Sequence, residues 1–325
     1  MTSLSADERA QVESAARVLR AGGLVAFPTE TVYGLGADAE NTRAVERVFE
    51  VKGRPATHPL IVHLARPDQL GAWAEDVSAA ARLLAERFWP GPLTLVLRRS
   101  PRVPLAVTGG LETVALRVPA HPTALALLAA FGGGVAAPSA NRFGSISPTT
   151  ARDVREELGD RVDLVVDGGA CHVGVESTIV DVSDAEPRIL RPGGITREDL
   201  ESALDRAVPA GAAGSPRVPG QHPSHYAPRA RVLLAAPADV VREAARQQAL
   251  GRRVGVLLPA GERAGAGQEA LPVPPSLAEY ARSLYDLLRE FDRRACDVIV
   301  ASLPAPEGLG AAIADRLLRA AGPRG

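Results

Sequence analysis

Lysine is almost missing from this chain of 325 residues: it occurs once, at Lys52, although Lys and Arg together number 37. Methionine occurs once, and aromatic residues make up only 4%. The two cysteines, Cys171 and Cys296, form no CxxC pair. That excludes a disulfide framework and a cysteine-rich zinc site, and fits a reducing cytosol. The six histidines build no HExxH helix. The net charge of −1 gives the chain no general attraction to nucleic acid or to a membrane surface, though it leaves room for a local basic groove. No apolar run approaches bilayer-spanning length, and the polar start Thr2-Ser-Leu-Ser-Ala-Asp-Glu8 lacks the apolar stretch of a signal peptide. The expectation is a cytoplasmic protein without membrane contact.

What is present is material for packed cores. The apolar fraction of 46% argues against disorder, and the length suits two domains. Ser5 and Glu8 have the spacing of a capping box, which predicts a first helix stopped by Gly22-Gly23. Strands are then predicted at 24–27, 60–64, 93–97, 114–118, 135–137, 164–167, 177–182 and 188–190. Helices are predicted at 42–50, 77–88, 122–131, 148–158 and 197–207. Residues 208–229 are rich in Pro, Gly, Ala and Ser and read as a linker. Its second half, Gln221-His-Pro-Ser-His-Tyr-Ala-Pro228, is poor material for a passive spacer. Residues 230–325 alternate strand and helix, which predicts a small Rossmann-like parallel α/β domain, with neither GxGxxG nor GxxxxGK[ST] to mark a nucleotide site. The fold class expected is α/β, divided at 1–207, 208–229 and 230–325.

Chemistry-bearing residues cluster at strand ends and loops. A lone Lys in an arginine-rich chain suggests a compact point charge among crowded phosphate oxygens, and Arg54, two residues on, adds a planar fork. The alternative is a solvated helix C-terminus, where cations are favoured anyway. Thr29-Glu-Thr31 is equally a turn or a cap, while Thr31 and Tyr33 are candidates to hold a small amino acid. His63 stands among Leu60, Ile61, Val62 and Leu64, on the face opposite Val62, where a histidine is more often a core residue than a catalytic one. Ser139 and Asn141 end a strand, the usual place for ligands in open α/β sheets. Ser147, just before Pro148, reads as a helix N-cap or as a phosphate contact at that helix. Arg117, in a strand, suits a carboxylate or is merely solvated at an edge. Cys171-His172 alone is weak evidence for metal. The residues by themselves point to a pocket for a phosphate-bearing ligand and a small carboxylate.

Taken as an ordered set, Gly22-Gly-Leu-Val-Ala-Phe-Pro-Thr-Glu-Thr-Val-Tyr-Gly-Leu-Gly-Ala37, Lys52 and Arg54, Pro59-Leu-Ile-Val-His63, Pro90-Gly-Pro-Leu-Thr94, Ser139 and Asn141, Glu176-Ser-Thr-Ile-Val180 and Arg191-Pro-Gly193 resemble the YrdC-type threonylcarbamoyl-AMP synthases. The resemblance covers about 10–207. His225-Tyr-Ala-Pro228 and the α/β unit after it resemble the two-domain form of that family. The resemblance implies a twisted, mixed-sheet YrdC-like N-terminal domain with an open, positively charged cavity. It also implies a nucleotidyltransferase that condenses L-threonine, bicarbonate and ATP to threonylcarbamoyl-AMP and pyrophosphate, for threonylcarbamoyladenosine formation in tRNA. Mg²⁺ would arrive on the ATP phosphates.

Carried over by resemblance, Thr31, His63, Arg117 and Ser177 bind threonine. Lys52, Arg54, Thr113, Ser139, Asn141, Ser147 and Arg191 surround the nucleotide, with Lys52 and Arg54 catalytic, and Tyr226 on the linker reaches over it. His58 departs from the family's usual Asn or Lys at that place, which puts its ATP contact in doubt. The implied partners are a downstream tRNA threonylcarbamoyl transferase machinery and a weak tRNA contact. Three other readings stand beside this one: an RNA-binding module without chemistry; a carbamoyl transferase of metal-centre maturation, whose cysteine-rich modules this chain lacks; and a C-terminal unit that is an independent regulatory domain.

Overall fold

The computed structural model describes residues 4–211, 214–220, 222, 225–259 and 261–323. Two compact units emerge, and the chain does not divide between them at one point. The first takes its residues from 1–143 and 148–221; the second from 144–147 and 222–325.

The strands are β1 (Val25–Phe27), β2 (Gly34–Asp38), β3 (Ile61–His63), β4 (Ala74–Glu75), β5 (Leu93–Arg99), β6 (Thr113–Arg117), β7 (Val135–Ala136), β8 (Leu164–Val165), β9 (Thr178–Asp181), β10 (Arg188–Arg191), β11 (Arg231–Leu234), β12 (Val254–Leu258), β13 (Glu269–Pro272) and β14 (Val298–Ala301). The helices are α1 (Ala6–Arg20), α2 (Thr42–Lys52), α3 (Leu70–Trp73), α4 (Ala79–Phe88), α5 (Leu105–Thr108), α6 (Pro122–Phe131), α7 (Ala151–Leu158), α8 (Arg197–Leu204), α9 (Val240–Ala249), α10 (Leu277–Arg293) and α11 (Leu309–Ala320).

In the first unit the sheet runs β10-β9-β5-β6-β3-β7-β2-β1-β8, with β4 beside β5, and mixes parallel and antiparallel pairs. Alternation along each strand sorts its side chains onto two faces. One face packs Val62, Leu95, Leu97, Val114 and Leu116 against Val45 and Val48 of α2, Leu84 of α4 and Leu200 of α8. On the other face, at one end, Val12, Ala15 and Leu19 of α1 and Leu127 and Leu128 of α6 pack on Phe27, Val135 and Ala137. Beyond that cover, Ile61, Val96, Ala115, Ile179 and Leu190 form a small apolar floor joined by Val218 from the 208–229 segment.

In the second unit four parallel strands run β11-β14-β12-β13. Helix α9 packs Val240 and Ala244 on Val254, Val256, Val298 and Val300, while α10 and α11 pack on each other.

Strand β2, at Gly34–Asp38, was not among the strands expected from the sequence. The glycines belong to a strand that neighbours press closely: a Cβ on Gly36 would lie 2.7 Å from Val135 Cγ1 and 2.8 Å from Phe27 Cε1. Strand β13 was hidden by proline and glycine around it; it ends on Pro272 and lies at a sheet edge, where a missing N–H is tolerated. The helix expected from Pro148 begins at Ala151. Thr150 is its N-cap, in a capping box with Asp153, so Ser147 is not a cap. The capping box at Ser5 is as expected, and the helix expected at 42–50 runs from Thr42 with Asn41 as its N-cap.

Gly193 shows how tightly the loop after β10 is set. A Cβ there would meet Glu176 O at 2.3 Å and Ser177 C at 2.4 Å, all backbone. Gly193→Ala is therefore expected to destabilise the first unit by about 1–3 kcal/mol, as overpacking does. Chemical denaturation followed at Trp73 and Trp89 checks this; an unchanged midpoint refutes it.

Candidate active site

Lys52 is the last residue of α2, and Gly53, at φ +62°, ends the helix in the left-handed conformation that favours glycine. The ammonium turns away from water. It is buried and donates to the carbonyls of Ser139 and Asn141, in the loop after β7. The Lys52 carbonyl in turn accepts from Phe143 N–H at 2.8 Å. Burial, followed by the neighbouring Arg54, pushes its pKa well below the usual lysine value. Arg54 donates to Pro59 O at 3.0 Å and lies over Phe143 at 5.7 Å from its centroid; His58 meets the same ring edge-on at 5.3 Å. Lys52, Arg54, His58, Ser139 and Asn141 are thus brought together, with Phe143 among them.

A second group projects from the sheet face that carries the apolar floor, where His63, Arg117 and Ser177 are buried. In register, His63 stands beside Arg117, Ile61 beside Ala115, and Ile179 beside Thr94. Thr113, Ala115 and Arg117 share a face by alternation, and Ser177 shares that of Ile179. Ser177 Oγ lies 2.7 Å from Thr94 Oγ1. A bulge between Ile189 and Arg191 redirects the end of β10. The Arg191 guanidinium, itself buried, donates to Ser177 O at 2.9 Å and to Pro219 O at 3.0 Å.

Arg117 donates from Nε to Gly91 O at 3.2 Å and pairs through Nη2 with Glu30 Oε1 at 2.7 Å, both side chains 4% exposed. Glu30 Oε2 accepts from Ala120 N–H at 3.0 Å. Removing a charge pair from water is costly unless the remaining lone pairs and protons are met; here Arg117 Nε and Glu30 Oε2 each have a backbone partner. Nη1 of Arg117 keeps no partner among the described residues and is the donor left for a carboxylate. Burial, then Arg117, pushes the His63 pKa down to about 3, so its imidazole is neutral at physiological pH. Thr29 donates to Val32 O at 2.6 Å; its single proton is thereby used, and Thr31 must be the donor in the 2.8 Å Thr29–Thr31 pair. Thr31 Oγ1 is left with lone pairs to accept.

Tyr33 does not join the site. Its ring is in the core and its hydroxyl donates to Gly169 O at 2.7 Å. Burial raises the Cys171 thiol, and no cluster of three His, Cys, Asp or Glu suited to a metal occurs among the described residues. Ser147 and Tyr226 belong to the second unit, where both are buried.

Two family models divide the chain. One, described as "Telomere recombination", matches residues 17–193; the other, described as "Threonylcarbamoyl-AMP synthase, C-terminal domain", matches 195–322. The chain belongs to the threonylcarbamoyl-AMP synthase family. A relative of that name from Pyrococcus abyssi is 43% identical over 98% of this chain and 96% of its own length. One from Bacillus subtilis is 44% identical over 97% and 94%. The crystal structure of P. abyssi Sua5 complexed with L-threonine superposes with a TM-score of 0.91 at 41% identity, covering 96% of this chain and 94% of that one. The chain is thus an enzyme of the synthase family, and a module that binds RNA without chemistry is not favoured.

Sequence reasoning assigned no role to Glu30 or Thr94, although both lie inside quoted motifs. The signal for Glu30 was a carboxylate within an otherwise apolar and hydroxyl-bearing run. His63 supplies a pH test. Its folded pKa lies below the unfolded value, so the contribution of the neutral imidazole is whole above about pH 6.5 and is lost as pH falls toward 3. Across that window wild-type stability is expected to fall with a slope steeper than that of His63→Asn by up to about 1.4 kcal/mol per pH unit. Denaturation midpoints at several pH values check it; parallel curves refute it.

Proposed function

We propose that this enzyme condenses L-threonine, bicarbonate and ATP to threonylcarbamoyl-AMP and pyrophosphate, for threonylcarbamoyladenosine formation in tRNA by a downstream transferase. The observation that supports this best is the likeness, over nearly the whole chain, to a structure complexed with L-threonine. Arg117 takes the threonine carboxylate with Nη1, while the Glu30 pair holds its guanidinium still. Thr31 accepts from the threonine amine or hydroxyl, and neutral His63 and Ser177 complete that pocket. Keeping His63 uncharged beside Arg117 avoids a second cation competing for the carboxylate. Arg54, Thr113, Ser139, Asn141, Ser147 and Arg191 surround the nucleotide, His58 lies next to that group, and Tyr226 reaches over it. Lys52 holds the Ser139–Asn141 loop, and its remaining N–H faces the phosphates. The 208–229 segment closes over the bound substrates.

Bicarbonate takes up a proton and loses water to give CO₂; the neutral threonine amine then bonds the CO₂ carbon and gives up a proton, which leaves a carbamate with the two protons cancelling. A carbamate oxygen then bonds the α-phosphorus as the bond to pyrophosphate breaks. Such a step needs positioning and charge neutralisation more than acid–base groups. Mg²⁺ bound through ATP phosphates supplies part of that neutralisation, a mode that calls for no carboxylate cage. The chain works in the cytoplasm, with at most weak tRNA contact.

Lys52→Ala is expected to lose about 2–4 kcal/mol of transition-state stabilisation, roughly 30- to 1,000-fold in rate. The assay is pyrophosphate release from ATP with threonine and bicarbonate omitted in turn. Release that ignores threonine ends the proposal; near-normal release by Lys52→Ala removes Lys52 from its role.

A further inference from the structure

Four residues, Gly144–Ser147, are counted with the second unit although the chain on both sides belongs to the first. Their supports come from the C-terminal part. Ala227 N–H donates to Gly144 O at 2.9 Å, and Ser145 bridges Ala227 in parallel. Arg289 of α10 donates from Nη2 to Ile146 O at 2.7 Å. Arg289 is 9% exposed, on a helix whose other buried residues are Tyr280, Ala281, Leu284, Tyr285, Leu288 and Phe291. A buried guanidinium is an expensive neighbour for such a face, and a leucine or methionine would fill it without a desolvation penalty. What the arginine adds is a donor for the loop.

The other strand of this bridge is held by a second buried arginine. Tyr226, next to Ala227, has φ +59°, a conformation that a bulky L-residue keeps only under strong constraint. Arg316 of α11 lies 5.1 Å from its ring centroid, and Tyr285 stacks on it at 5.8 Å and 28°. His225 N–H donates to Arg319 O at 3.3 Å. Arg316 is fully buried and paired with Asp315 at 2.7 Å. Cation–π attraction strengthens when desolvated, so this stack fixes the ring and, through it, Ala227.

We infer that Arg289 and Arg316 are positioning residues for ATP binding: Arg289 holds the Gly144–Ser147 loop by the Ile146 carbonyl, and Arg316 holds its pairing partner through Tyr226. The C-terminal unit thereby contributes to nucleotide affinity without contributing to threonine affinity. The inference rests on the nucleotide contacts proposed above for Ser147 and Tyr226.

The test is calorimetric titration of full-length protein with ATP and, separately, with threonine, which needs no turnover. Arg289→Met keeps the stem and loses the donor; Arg316→Lys keeps the charge and loses the flat stack. Each is expected to weaken ATP by about ten- to a hundred-fold, the scale of a lost charged hydrogen bond, with threonine affinity within twofold of wild type. Arg289→Lys should recover most of the loss. ATP affinity unchanged in either variant, or ATP and threonine weakened together, overturns the inference. Should Arg289→Met not fold, Arg316→Lys carries the test, and wild-type ATP affinity in that variant overturns it. Wild-type protein that binds ATP yet releases no threonine-dependent pyrophosphate defeats the proposed reaction and leaves this inference standing.

Discussion

One buried cation fixes the loop after β7 that carries Ser139 and Asn141. Lys52 grips the 139–143 segment from two directions, its ammonium on the Ser139 and Asn141 carbonyls and its own carbonyl on Phe143 N–H. All three bonds join the C-terminal turn of α2 to the loop after β7, so Ser139 and Asn141 are set by the helix as well as by the sheet. An ammonium on a four-carbon stem can reach two carbonyls inside a closed space; a planar guanidinium needs a wider slot and aims its donors in one plane. This is a physical reason for the one lysine in a chain that otherwise uses arginine for positive charge. It differs from the point charge for phosphate that the sequence suggested: the cation is first a fastener, and what it offers a ligand is what remains after two carbonyls are satisfied.

The arginines of the sheet face obey the same rule. Arg117 and Arg191 each give donors to backbone carbonyls before any substrate arrives, and Arg117 is further held by Glu30. Charges anchored in this way need no rearrangement when an anion approaches, which is where electrostatic stabilisation gains its strength. The desolvation cost is met by the scaffold. Neutral His63 beside Arg117 limits the crowding of like charge on that face.

The sequence revealed this architecture unevenly. Period-two alternation placed His63 opposite Val62, and the register with Arg117 follows from the fold. Cap chemistry located the starts of α1 and α2, because Ser5, Glu8 and Asn41 act within their own turn. Cap reasoning failed at Ser147, where Thr150 and Asp153 held the stronger spacing three residues on. Glycine misled at β2, since Gly36 is required by the approach of Val135 and Phe27 and not by a turn. Glu30 and Lys52 were visible as residue types, but their partners lie far along the chain, and a local pattern carries no record of such contacts. The family resemblance supplied the roles that local patterns could not.

The stretch read as a linker shows the same limit most clearly. Composition marked 208–229 as one spacer, yet its residues change allegiance between Gly220 and His222. Before that point Gly211 N–H pairs with Ile189 O, Val218 lies in the apolar floor of the sheet and Pro219 O accepts from Arg191. After it Tyr226 is clasped by Arg316 and Tyr285. The anchors are mostly backbone carbonyls and N–H groups, which every residue type carries, so a Pro- and Gly-rich composition conceals them. Only the histidine and tyrosine of the second half hinted at attachment. The described anchors of the segment are thus shared out between the two units, a division that composition alone does not show.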